Sequence, residues 1–222
     1  MNSVDSGKII EDSFGYAKEG LAGKWGTWAL LVISCIIFPL YLGYILRIFR
    51  GANPSPQLDN WGGMFIDGIR LFIVGLIYAL PVIILSFVLF ESADVIRSSV
   101  NPGTIGGLII AILTGAIILV IVAISVWLIV MTAGVRFART DSLGEAFNFG
   151  AIFTHIGRIG WMTYTIALLM ILIILVNIVI ICLIINIIIP YTGIILFLIV
   201  LPFLSLFSPR YITLLYESAG TP

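Results

Sequence analysis

The chain has 222 residues, of which 61% are hydrophobic and only 10% charged, and its mean hydropathy is +1.21. So little polar surface does not cover a soluble domain of this length, and hydrocarbon is the solvent that the composition fits. Eleven basic and eleven acidic residues cancel, which leaves neither a basic face for nucleic acid nor an acidic tail.

Residues 1–24 are polar and mixed in charge. Ile10, Phe14, Ala17 and Leu21 share one helical face there, with Lys8, Glu11, Asp12 and Glu19 mostly on the other. Five apolar runs follow: 25–46, interrupted by Pro39; 71–90, with Pro81 near its middle; 106–135; 159–188; and 190–208. The first is too long for the core of a cleavable leader and is expected to act as an uncleaved anchor. Each run reaches or nearly reaches the roughly 20 residues that cross about 30 Å of hydrocarbon. Only Pro190, Tyr191, Thr192 and Gly193 separate the last two, a turn signal that predicts a tight helical hairpin. The runs show no period of two, which disfavours a barrel. The expected fold is all-α, a polytopic membrane protein with about five transmembrane helices. It forms one domain over 1–222: an amphipathic segment at 1–24, repeat one at 25–90, repeat two at 106–188, and a final transmembrane helix at 190–208.

The charges sit at the ends of the runs, and their arrangement repeats. Arg47 and Arg50 close one run and Arg136 and Arg139 another, 89 residues later. The segments 60–70 and 148–158 then align with four identities in eleven: Asn60 with Asn148, Gly62 with Gly150, Phe65 with Phe153 and Arg70 with Arg158. Both loops fall on one side of the membrane, so the repeats are parallel rather than inverted. Leu58, Trp61, Phe65, Ile69 and Phe72 share a face in the first copy, as do Ala146, Phe149, Phe153 and Ile156 in the second. Short amphipathic helices lying in the headgroup plane are predicted. With five crossings, Arg47, Arg50, Arg70, Arg136, Arg139, Arg158 and Arg210 gather on one side, against Lys8, Lys18, Lys24 and Arg97. Seven against four puts the arginines and the C-terminus in the cytoplasm and the N-terminus outside. A first run broken at Pro39 and re-entrant gives ten against one instead. Against that reading, re-entrant backbone has to be shielded from lipid by protein.

The unit G-Y-x-x-R-x-x-R at 43–50, a Pro-containing loop, and W-x-x-M-F-x-D-G at 61–68 together resemble a prokaryotic multi-pass family, common in archaea. The family is known only as a domain of unknown function. E-A-F-N-F-G at 145–150 is similar to its second signature, and the resemblance runs from residue 8 to 210. It implies a small helical membrane protein and brings no activity, substrate or catalytic residue.

No charge lies within the core of any run, which argues against proton relays, voltage sensors and ion-coupled carriers. Asn177 and Asn186 are nine residues apart and about half a turn out of phase, so they do not line one face. Gly107, Ala111 and Gly115 recur every four residues, a spacing that permits close helix approach. His155 is the only histidine, with no cysteine or second histidine near it in sequence, so no metal is expected. Cys35 and Cys182 read as small residues within apolar runs. There is no G-x-S-x-G, H-E-x-x-H or P-loop motif, and no cofactor is expected. The arginines read as topological anchors, with anionic lipid headgroups as their partners. The reading is therefore a multi-pass protein of the cell membrane and not an enzyme. It serves as a structural, homo-oligomer-forming or accessory subunit of a membrane complex, in contact with the lipid bilayer. The alternative is a passive pore or permease for an uncharged small solute.

Overall fold

The computed structural model describes residues 6–98 and 105–220, and among them helix is the only regular element. The centre of the connection 91–105 lies outside the described residues. In chain order the helices are α1 (Ser6–Leu21), α2 (Trp25–Ile36), α3 (Phe38–Phe49), α4 (Trp61–Ser98), α5 (Ile105–Thr140), α6 (Leu143–Ala146), α7 (Phe149–Ile159), α8 (Trp161–Ile188) and α9 (Thr192–Glu217). Four of them, α4, α5, α8 and α9, are long and apolar enough to cross a membrane, which is the signature of a membrane protein.

The expectation of five such helices is corrected at the first run. It divides at Ile37 into two helices of 12 residues each, each about 18 Å long and too short for a crossing. Pro39 is the cause. It has no N–H to give to the carbonyl four residues back, so the helix stops. It then occupies the opening turn of α3, where that N–H is not needed. The tip of the pair is apolar, with Ile36 78% exposed.

The described chain forms two compact units, Met1–Phe72 with Met131–Pro222, and Ile73–Val130. In the first, α8 and α9 make the antiparallel hairpin that the turn signal predicts, with Tyr191 in the left-handed region at φ 67°. Helices α1, α2 and α3 all pack on α9, and α7 packs on α8. Tyr44, Leu46, Ile48, Leu168, Leu206 and Tyr211 are among its fully buried side chains. Tyr211 donates from its hydroxyl to the Ala167 carbonyl at 2.9 Å, tying α9 to α8.

The position of α1 bears on topology. Its Tyr16 hydroxyl donates to the Ala52 carbonyl at 3.0 Å, and the Arg210 guanidinium lies 4.9 Å above the Tyr16 ring. This helix therefore sits beside the arginine-rich ends of α3 and α9. Burial pushes the Tyr16 hydroxyl up to about 12, against the opposing pull of Arg210. The buried face of α1 is Ser13, Tyr16, Ala17 and Gly20, not the predicted face of Ile10, Phe14, Ala17 and Leu21; Phe14 is 53% exposed.

The two repeated segments are embedded alike but continue differently. Asn60 and Asn148 each cap a helix, accepting from Gly63 N–H at 3.3 Å and from Ala151 N–H at 3.2 Å. Met64 and Ile152 are both fully buried, while the aligned aromatics Trp61 and Phe149, and Phe65 and Phe153, are all exposed. The first segment then runs straight on as the opening of α4, so no separate interfacial helix forms there. The second stops at Gly160, whose φ of 99° breaks the helix between α7 and α8. Phe72, the counterpart of Gly160, has a side chain and continues the helix.

The second unit consists of parts of α4 and α5. Phe87, Phe90, Ile110 and Ile117 are 60–67% exposed, and apolar side chains face outward on every side. The small-residue stripe splits: Gly115 is buried against Leu89, Ala111 lines an adjoining cavity of about 380 Å³, and Gly107 has nothing beside it among the described residues. A side chain at 115 has to displace Leu89 Cδ2, 3.1 Å from where its Cβ falls.

Candidate functional site

The arginines that close the apolar runs reach back into the protein. Arg47 pairs with Asp59 at 2.6 Å and donates to the Gln57 and Asp59 carbonyls at 2.8 and 2.9 Å. Arg136, its counterpart, pairs with Glu145 through Nε at 2.8 Å and through Nη2. The Arg136 and Asn148 donors hold the Glu145 carboxyl below the usual carboxylate range. Arg50 bridges Asp67 at 2.6 Å and Asp141 at 3.2 Å, joining the two loops. Arg139 donates from Nε to the Phe49 carbonyl at 2.8 Å and pairs with Glu217, joining the ends of α3, α5 and α9. Half-buried charge-assisted pairs of this kind fix geometry more than they stabilise.

Arg47, Arg50, Arg136 and Arg139, which sit at the ends of the apolar runs, thus each have a carboxylate of the chain as a partner. Arg70 approaches Asp67 only to 3.9 Å. Arg210 rests on the Tyr16 ring, and its buried Nε has no hydrogen-bond partner among the described residues. Arg158 forms no ion pair among the described residues. It lines a cavity of about 280 Å³ with Arg136, Gly150, Ala151, Thr154 and His155.

His155, aligned with Asp67, is 5% exposed. Its Nε2 lies 2.9 Å from the Tyr216 carbonyl, and its ring stacks on Tyr216 at 3.8 Å. Among the described residues, no three His, Cys, Asp or Glu side chains gather as metal ligands. Burial pushes the imidazole below its ordinary value of 6.5; the Tyr216 carbonyl opposes this, and Arg158 and Arg136 add to it. The folded state therefore binds fewer protons than the unfolded one as pH falls through 6.5, and stability declines with acid across the window below that value. Thermal unfolding in detergent is expected to show this decline, and His155→Gln to flatten it. An equal slope in both proteins would assign the acid sensitivity to the carboxylates instead.

Two features of this region escaped the sequence reading. Arg50 with Asp141 and Arg139 with Glu217 are 91 and 78 residues apart, and no local pattern marks such pairs. Gly43 and Gly68 were read only as members of the motifs at 43–50 and 61–68. They are the points where α3 and the start of α4 touch: a Cβ on Gly43 falls onto the Met64 carbonyl, and one on Gly68 onto the Pro39 carbonyl. The signal was in the motifs themselves, since small residues mark close helix approach.

The chain belongs to the family described as Protein of unknown function (DUF4013), whose model matches residues 28–189. No curated protein and no solved structure matches it. The matched span opens within α2 and closes just after α8. It takes in both copies of the motif and the arginine pairs, apart from Arg210 and the Glu217 partner of Arg139.

Proposed function

We propose that this DUF4013 chain crosses the cell membrane four times, with α2 and α3 entering and leaving on one side. Both termini then lie with the arginines in the cytoplasm. The contact of α1 with Arg210 and Ala52 supports this, as does the count of ten basic residues against one. Helix α9 packs against both α2 and α3 and shields part of the re-entrant pair, whose tip at Ile36 and Ile37 is exposed. The shared Asn caps and matching burial support a duplicated unit, and the resemblance carries its prokaryotic origin.

The role is structural: a non-enzymatic membrane subunit that associates with a second copy through α4 and α5. The carrying observation is the outward apolar surface of these two helices, in whose apolar 18-residue stretches 11% and 6% of the residues are buried. A pore is disfavoured by the polar side chains within the spans. Ser86, Ser125 and Asn177 donate to Ile83, Ile121 and Ile173 carbonyls of their own helices, so they line no shared path. Native mass spectrometry from mild detergent is expected to show a homo-oligomer, and Ile117→Cys to cross-link copies. A monomer at every concentration, with no cross-link, would overturn the subunit reading.

A further inference from the structure

We infer that Arg158, Arg136 and the first turns of α7 form a binding site for a phosphate group. The site lies within one chain and needs no second copy. Arg158 has no carboxylate partner among the described residues and opens on a cavity of about 280 Å³. Arg136, near the end of α5, lines the same cavity. Its Nε and Nη2 go to Glu145, which leaves Nη1 for a further acceptor. Two guanidinium groups against one carboxylate leave the cavity with an excess of one positive charge, and a guanidinium fork matches phosphate oxygens. Thr154 donates its hydroxyl proton to the Gly150 carbonyl, and Ala151 N–H is held by Asn148. The arginines are therefore the donors that matter.

The neighbouring surface points to a lipid as the source of the phosphate. Phe149 and Phe153 lie on α7, as do the lining residues Gly150, Ala151, Thr154, His155 and Arg158, and Trp161 opens α8 against Phe153. The three aromatics are 47%, 41% and 54% exposed. Aromatics of that exposure at the head of a crossing helix suit the headgroup level. An acyl chain then has apolar surface to lie along while the phosphate enters the cavity. The charged and titratable groups around His155 are Arg136 on α5, its partner Glu145 on α6, Arg158 on α7, and Tyr216 on α9, whose ring stacks on the imidazole and whose carbonyl meets Nε2. An anion between the arginines removes much of their push on the imidazole, so binding and His155 protonation are coupled.

His155 is the only histidine in the chain, so its ring resonances report on the site without assignment ambiguity. The full-length protein in phosphatidylcholine nanodiscs is titrated with inorganic phosphate, and separately prepared with increasing phosphatidic acid. Movement of the His155 resonances with phosphatidic acid alone supports a lipid phosphate. Movement with inorganic phosphate as well supports the site with a soluble source. In Arg158→Gln the affinity is expected to fall at least about tenfold, while Arg158→Lys, which keeps the charge and loses the fork, falls between. Resonances unmoved by either probe, or the same titration in Arg158→Gln as in wild type, would overturn the assignment.

Discussion

Replacing Gly68 with alanine is expected to destabilise the protein, although the same change in an exposed helix interior usually gains about 0.5–1 kcal/mol. The sign reverses because an added Cβ meets the backbone carbonyl of Pro39, and backbone has no rotamer with which to retreat. Overpacking of this kind costs about 1–3 kcal/mol, and leucine at the same position more. Gly43→Ala repeats the collision from the other helix, against the Met64 carbonyl. Gly75, on the same α4 helix, has open space beside it, and Gly75→Ala serves as the control. Thermal unfolding in detergent that ranks Gly68→Ala level with Gly75→Ala would show that α3 and α4 do not cross at these glycines.

Tyr211→Ala is expected to cost about 3–5 kcal/mol, the range for deleting a fully buried aromatic ring. Tyr211 is 1% exposed. Tyr211→Phe keeps the ring and loses the bond to Ala167, for about 1 kcal/mol. The gap between the two variants separates ring packing from the hydrogen bond. Equal losses would mean that the α8–α9 contact rests on the hydroxyl alone.

Helix content and four of the long helices were legible because continuous apolar runs of that length have one structural solution in lipid. The amphipathic faces of the two loop segments were legible as faces. Trp61, Phe65 and Ile69 share an exposed stripe, and Met64 and Gly68 are buried behind it. In water the apolar stripe marks the core. Beside hydrocarbon, large apolar side chains are at home outside, and small ones let backbones meet within. The same rule explains α1, where Ser13, Ala17 and Gly20 are buried and Phe14 is exposed.

The arginine pattern was legible as clusters at the ends of the apolar runs. Its partners were not. Asp59, Asp67, Asp141 and Glu145 meet particular arginines only once the helix ends converge. Arg158, on a separate helix from Glu145, forms no ion pair among the described residues, and neither does Arg210, which rests on the Tyr16 ring. The break at Ile37 was half legible, since Pro39 marked a discontinuity. Residue counting alone favoured a single crossing, because the contact of α1 with α9 is long-range.

The placement of α1 with the arginines is the claim on which topology depends, and single-cysteine labelling tests it. Cys35 and Cys182 are both free thiols and are first replaced by serine. Cysteine is then introduced singly at Lys8, Gln57 and Ser142. A membrane-impermeant maleimide applied to intact cells is expected to leave all three unmodified, and to modify all three once the cytoplasmic face is opened. Modification of Lys8→Cys from outside the intact cell, with the other two protected, would put the N-terminus across the membrane from the arginines and contradict the four-crossing account.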